Sequence, residues 1–185
     1  MNLDETKVKL SSYFNEACKV LNVNYEAIDF AYEGIGNRFK RNDVTCETAE
    51  NTLYVNTEWI KMLPADDDYD MQYQMYHEAR HFYQHNAIAD YNARGKTSEL
   101  PSTIKKWEHE SCNYIPNEGT KEERKAYAAQ DVEIDANAFA NAMLLAKGYN
   151  YTKAPEEQKE ETDVRTLTIF TNFDRLGKWK NLINE

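Results

Sequence analysis

Apolar residues recur at helical spacing over most of this chain and follow a strand-like pattern only in a short early stretch. Between residues 4 and 22, Val8, Tyr13, Phe14, Ala17, Cys18 and Leu21 fall close to an i, i+3, i+4 rhythm, with acids in the first turn, which predicts a packed N-terminal helix. Residues 27–32 and 52–55 are rich in Ile, Phe, Tyr, Leu and Val, and are separated by Gly34, Gly36 and the polar stretch 47–51. With a weaker segment around 44–46, they predict a small, mostly antiparallel sheet. A short helix at 57–62 stops before Pro64, and the acidic run Asp66, Asp67, Asp68 suits the positive N-terminus of a next helix over about residues 70–92. Residues 94–101 read as a loop, and 102–114 as an amphipathic helix with Ile104, Trp107, Ser111 and Tyr114 on one side. After a break at 116–120, one long helix is predicted over 121–147, ended by Gly148. The tail from Pro155 is acidic, then aromatic and basic through Phe170, Phe173 and Trp179, and predicts one or two packing helices.

The fold class that follows is α+β and mainly α, with a small antiparallel sheet ahead of the helix at 70–92. A length of 185 residues suits one domain over 1–185, large enough to bury a core without disulfides or a structural metal. With 32 acidic residues against 22 basic ones, the formal charge of −10 argues against a general binder of nucleic acid or anionic membranes, which presents a basic face. No stretch approaches the length of apolar chain needed to span a bilayer, and the first residues lack the apolar core of a signal peptide. Cys18, Cys46 and Cys112 are odd in number and widely spaced, fitting neither a disulfide framework nor a C-x-x-C metal site. The expectation is a cytoplasmic protein.

Three of the four histidines, His77, His81 and His85, fall within nine positions, and residues 77–81 read His-Glu-Ala-Arg-His. On a helix, residues four apart share nearly one azimuth and stand about 6 Å apart along the axis, so His77 and His81 can converge on one divalent ion. Glu78 lies about 100° around from His77, outside the ligand row yet near the ion's open position. A catalytic zinc site has three protein ligands and one exchangeable position, so one more donor is required. His85 stands about 12 Å along the helix from His77, too far for the same ion. Gln84 and Ala87 occupy the positions where the longer H-E-x-x-H-x-x-G-x-x-H pattern needs glycine and histidine, which excludes the metzincin arrangement.

The helix after Thr120 offers Asp131, Glu133 and Asp135. Val132, Ala136, Phe139, Ala140 and Met143 form an apolar stripe, and Glu133 falls on its flank, between Ala140 and Leu144. Asp131 points away from the stripe and Asp135 lies at its far edge. Glu133 is the acid directed most nearly at the core side, where an unpaired carboxylate is costly and a metal would compensate.

The pentapeptide at 77–81, followed by Glu133-Ile134-Asp135-Ala136-Asn137-Ala138-Phe139-Ala140, resembles the gluzincin-type metallopeptidases of the ImmA/IrrE family. There a second helix with an E-x-x-A-N-x-F-A pattern supplies a glutamate as third zinc ligand. The resemblance spans residues 72–145 and implies a minimal zincin-like fold holding one Zn2+ per chain through His77, His81 and Glu133, with Glu78 as general base. Asn137 becomes a candidate to fix a histidine or the glutamate by a hydrogen bond. Residues 93–120 are then an insert between the two ligand helices, and 155–185 a C-terminal packing segment. The chain departs from the family in that interval's length, in Arg80 where a small residue often stands, and in having no evident helix-turn-helix segment.

The function expected is zinc-dependent hydrolysis of a peptide bond in a peptide or protein substrate, with no nucleic acid or membrane partner. His85, Tyr76, Tyr114 and Tyr127 are the available donors for a developing oxyanion, while His109, between Glu108 and Glu110, reads as a solvated surface residue. The alternative is a non-catalytic zincin-like module that binds metal and a partner protein. Retention of Glu78 weighs against it, since such a site has no use for a base there. The helix around Trp107, lying between the two ligand segments in sequence, is placed as a roof over the cleft.

Overall fold

A computed structural model describes residues 2–36, 38–64, 68–117 and 119–182. Helix α1, Leu3–Leu21, is capped by Asn2, whose side chain accepts from the Asp4 N–H, and closes on Asn22 in the left-handed region. Strands β1 (Asp29–Glu33), β2 (Cys46–Ala49) and β3 (Thr52–Asn56) follow, then helices α2 (Thr57–Met62), α3 (Asp68–Arg94), α4 (Pro101–Cys112), α5 (Lys121–Ala128), α6 (Asp131–Ala146) and α7 (Lys159–Arg175), with a final 3-10 turn at Lys178–Asn181. Among the described residues no helix is long and apolar enough to cross a membrane. All three cysteines are free thiols. Asp66 and Asp67, expected to favour the start of α3, lie outside the described residues, while Asp68 and Asp70 sit in its first turn.

The sheet has the order β1-β3-β2, with β3 central because it carries the fully buried Leu53 and Val55. Its register differs from the expectation in two ways. Residues 47–49, read as a polar separator, form most of β2, which pairs antiparallel with β3 through a turn at Glu50 with φ of 52°. Edge strands tolerate polar side chains on their exposed face, so composition understated this strand. In addition, β1 runs parallel to β3, so the chain from Gly34 to Thr45 must cross the end of β3 to reach the far edge. Asn56 holds that crossing: fully buried, it donates to the carbonyls of Arg41 (3.1 Å) and Val44 (2.8 Å) and accepts from Glu58 as the cap of α2.

α3 packs between α1 and α6, and α6 between α3 and α7. The main core joins Leu10, Phe14 and Ala17 of α1 to Met71, Met75 and Ala79 of α3 and to Ala138, Phe139 and Met143 of α6. Val8, placed on the core face from the sequence, is 69% exposed, so the buried stripe of α1 begins at Thr6 and Leu10 instead. A smaller cluster of Ala87, Ile104, Trp107 and Val132 pins α4 against α3 and α6.

The helix expected over 121–147 is two helices, α5 and α6, broken at Ala129 and Gln130. Thr120 and Glu123 form a capping box that starts α5. Gln130 fixes the break, its side chain accepting from the Ile115 N–H (2.9 Å) and donating to the Ile115 carbonyl (3.0 Å). Nor is α6 buried on a single stripe: every residue from Asp131 to Leu144 is buried, because helices cover it on several sides.

A helix buried all round must neutralise its charges internally. Asp131 accepts from Lys106 and Arg165, each at 2.7 Å, and these partners hold its carboxyl below the usual range although burial pushes it up. Asp135 accepts from Arg80 Nε at 2.7 Å and Nη2 at 3.3 Å, and the same guanidinium reaches Glu99 at 3.2 Å and lies over the Tyr83 ring. Arg80, the departure noted inside the pentapeptide, is therefore the tie between α3, α6 and the segment leading into α4. Arg80→Met should destabilise the protein by about 3–5 kcal/mol, since it leaves Asp135 buried and uncompensated. Urea denaturation checks this, and a loss below about 1 kcal/mol would show that the pair does not lock the helices.

Candidate metal centre

Helical spacing puts His77 and His81 of α3 on one face, and the packing of α6 against that face delivers Glu133 to the same point. His77, His81 and Glu133 each offer a ligand atom within 4.8 Å of the others. The two Nε2 atoms are 3.0 Å apart, Glu133 Oε2 lies 3.4 Å from His77 Nε2, and Glu133 Oε1 lies 3.5 Å from His81 Nε2. Donors each about 2.0–2.1 Å from a tetrahedral ion stand roughly 3.3 Å apart, so the triangle has the dimensions of such a site.

The protonation pattern supports the same conclusion. Gln84 Nε2 is fixed by two acceptors, the Val132 carbonyl (3.0 Å) and Asp135 Oδ2 (2.9 Å), so its Oε1 faces His81 Nδ1 at 2.9 Å and accepts that ring's proton. Asn137 Oδ1 stands 2.9 Å from His77 Nδ1 in the same sense. With the proton on Nδ1, as these acceptors favour, each ring turns an Nε2 lone pair inward. Glu133 is 1% exposed, and its Oε2 has no hydrogen-bond partner among the described residues. In that tautomer three acceptors face one another in a buried space, an arrangement that a cation between them would satisfy.

A proton is the cation the protein itself can supply. Burial works against charge on His77, yet hydrogen bonding and the negative charge of Glu133 raise its pKa above the ordinary value. Glu133 is held at about 2: burial opposes ionisation, but the charges of His81 and His77 and the nearby Tyr127 hydroxyl outweigh it. A divalent ion satisfies the same three atoms at once, and the donor set of two imidazoles and a carboxylate suits zinc.

Glu78, adjacent to His77 in sequence, turns out of the donor row toward the sheet. Its Oε2 accepts from Thr48 Oγ1 of β2 at 3.0 Å and its Oε1 from Gln74 Nε2 at 2.7 Å, so both oxygens are oriented. Glu78, His77 and Glu133 line one cleft of about 1500 Å³. Tyr114 and Tyr127 also line it, and Tyr114 donates to Glu133 Oε1 at 2.8 Å. The other two oxyanion candidates are elsewhere. Tyr76 bonds Glu16 and Gln72 on the α1 side, and His85 is exposed and outside the converging group. The helix at α4 does not roof the cleft; the segment after it, through Tyr114, Pro116 and Asn117, forms that wall.

Sequence reasoning missed four residues that hold the site. Gln74 and Gln84 stand at i−4 from Glu78 and i+3 from His81, spacings that bring helical side chains together, so both were readable in principle. Tyr73, at i−4 from His77, shares that spacing and donates across to Asn137 Oδ1 at 2.7 Å, while Thr48 reaches the site only through tertiary packing. No family model, curated protein or solved structure matches the chain. Since residues orienting a ligand imidazole tune metal affinity, Gln84→Ala and Asn137→Ala should each weaken zinc binding by about 10–100-fold. Competition with a chromophoric chelator measures this, and unchanged affinity in both variants would refute the assigned hydrogen-bond roles.

Proposed function

We propose that this chain is a zinc-dependent metallopeptidase, a single zincin-like unit over residues 1–185 whose likeness to the ImmA/IrrE family extends to its chemistry. The observation that carries the reading is the convergence of His77 Nε2, His81 Nε2 and a Glu133 carboxylate whose Oε2 has no hydrogen-bond partner among the described residues, with His77 and Glu133 sharing one cleft with the oriented carboxylate of Glu78. These three residues would hold the ion. When bound, zinc supplies Lewis acidity, making water a better nucleophile and a peptide carbonyl a better electrophile.

The remaining work falls to the chain's own groups. Glu78 takes the proton from the attacking water on a carboxylate oxygen and delivers it to the leaving amine as the C–N bond breaks. Thr48 and Gln74 keep that carboxylate aimed, because each donates to one of its oxygens. Tyr114 and Tyr127 are the hydroxyls on the cleft wall, and either serves the developing oxyanion by exchanging its hydrogen bond to Glu133 for one to that oxygen.

Glu78→Gln preserves shape, keeps an oxygen to accept from Gln74, leaves the Thr48 hydroxyl to reverse and accept from the new amide, and removes the base. The variant should keep its zinc and thermal stability while peptide cleavage falls by at least about 100-fold, measured on a mixed peptide library by mass spectrometry. Cleavage at the wild-type rate would remove Glu78 from the mechanism, and its loss together with zinc would assign Glu78 to holding the ion instead.

A further inference from the structure

The cleft beside the candidate centre carries charge opposite to that of the molecule. Seven basic and five acidic residues line it, and two of the acids are Glu78 and Glu133 at the site itself, in a chain whose formal charge is −10. Lys121, Arg124 and Lys125 stand at i, i+3 and i+4 on α5 and share the helix face turned to the cleft, while Glu122 and Glu123 do not line it. Glu123 is turned back into the capping box on Thr120.

The facing wall is the crossing between β1 and β2, which contributes Arg38, Lys40 and Arg41. Arg41 spans the two walls: it chelates Asp43 at 2.8 and 2.5 Å and reaches the Asn117 carbonyl at 3.4 Å. It passes so close to Gly119, where φ is 118°, that a Cβ there would come within 2.5 Å of Nη1. Three rim acids pair with three of these cations, Asp43 with Arg41, Glu47 with Arg38 and Glu157 with Lys125, and Lys153 reaches Asp70. Asp43 is shared by Arg41 and Arg124, and Glu157 by Lys125 and Lys121. Lys40, Lys121 and Arg124 have exposed side chains with no carboxylate in salt-bridge contact among the described residues.

We infer that the cleft selects acidic peptides, with aspartate or glutamate side chains flanking the segment laid across His77, Glu78 and Glu133 and docking on the α5 face and the 38–41 segment. The inference rests on the peptidase reading for its substrate class. A low-dielectric groove lined by an excess of one sign concentrates ligands of the other and disfavours its own sign. Peptide is favoured over nucleic acid because Asp43, Glu47 and Glu157 interrupt the cation band, and two carboxylates form its floor. A phosphate backbone would place continuous negative charge against them.

Binding tests this apart from catalysis. Zinc-loaded full-length Glu78→Gln protein is titrated into labelled peptides of equal length whose flanks are acidic, neutral or basic, and into a single-stranded oligonucleotide, with fluorescence anisotropy as readout. The acidic peptide should bind at least about tenfold tighter than the neutral and basic ones at about 50 mM salt, and the margin should shrink at about 300 mM. Charge reversal at Lys121→Glu, Arg124→Glu and Lys125→Glu together, all at exposed positions, should invert the preference. Equal binding of the three peptides, a preference untouched by salt and by the α5 reversals, or an oligonucleotide that binds as tightly as the acidic peptide would each overturn the inference. Acid-selective binding by a protein whose wild-type form cleaves none of the peptides would leave this inference standing and remove hydrolysis alone.

Discussion

Two imidazole Nε2 atoms 3.0 Å apart beside a buried carboxylate oxygen without a hydrogen-bond partner among the described residues are a combination that a folded chain does not maintain without cause. The arrangement persists because the elements bearing it are over-determined. α3 and α6 are pressed together by a shared core, tied by Arg80 and Asp135, and tied again by Gln84, which bonds both α6 and the His81 ring. Asn137 does the same for His77 from the other helix, with Tyr73 behind it. The metal-binding geometry is thus a consequence of rigid helix packing, the condition under which donors stay aimed when no ion is present.

Burial of α6 on all sides follows from the same requirement. A helix half in solvent would let Glu133 solvate and would lose the driving force for an ion. Covering it forces Asp131 and Asp135 into the interior as well, and Lys106, Arg165 and Arg80 neutralise them. The sheet contributes from the opposite side. β2 is an edge strand, and Thr48 on it is what turns Glu78 toward the cleft. The crossing that brings β2 to that edge is stabilised by Asn56, and it also carries Arg38, Lys40 and Arg41 to the cleft wall. One topological feature therefore orients the candidate base and charges the approach to it.

The helices were legible because their apolar positions keep period, as α2 at Thr57–Met62 illustrates. The pentapeptide and Glu133 were legible because helical spacing fixes azimuth whatever the tertiary context. What escaped did so for definite physical reasons. The break at Gln130 depends on hydrogen bonds to Ile115, fifteen residues away, and no local propensity records them. β2 is polar because an edge strand can be, and the parallel placement of β1 is a matter of chain crossing rather than composition. Asp131 and Asp135 were judged against one apolar stripe, a rule that fails when a helix is enclosed by several others.

Zinc K-edge absorption of the purified full-length chain, alongside its zinc content, tests the central claim most directly. The account predicts about one zinc per chain with only nitrogen and oxygen neighbours at about 2.0–2.1 Å, two of them imidazoles, and loss of one imidazole signal in His81→Ala. Absence of zinc together with no binding on its addition, or a sulfur-coordinated ion that His81→Ala leaves undisturbed, would contradict it.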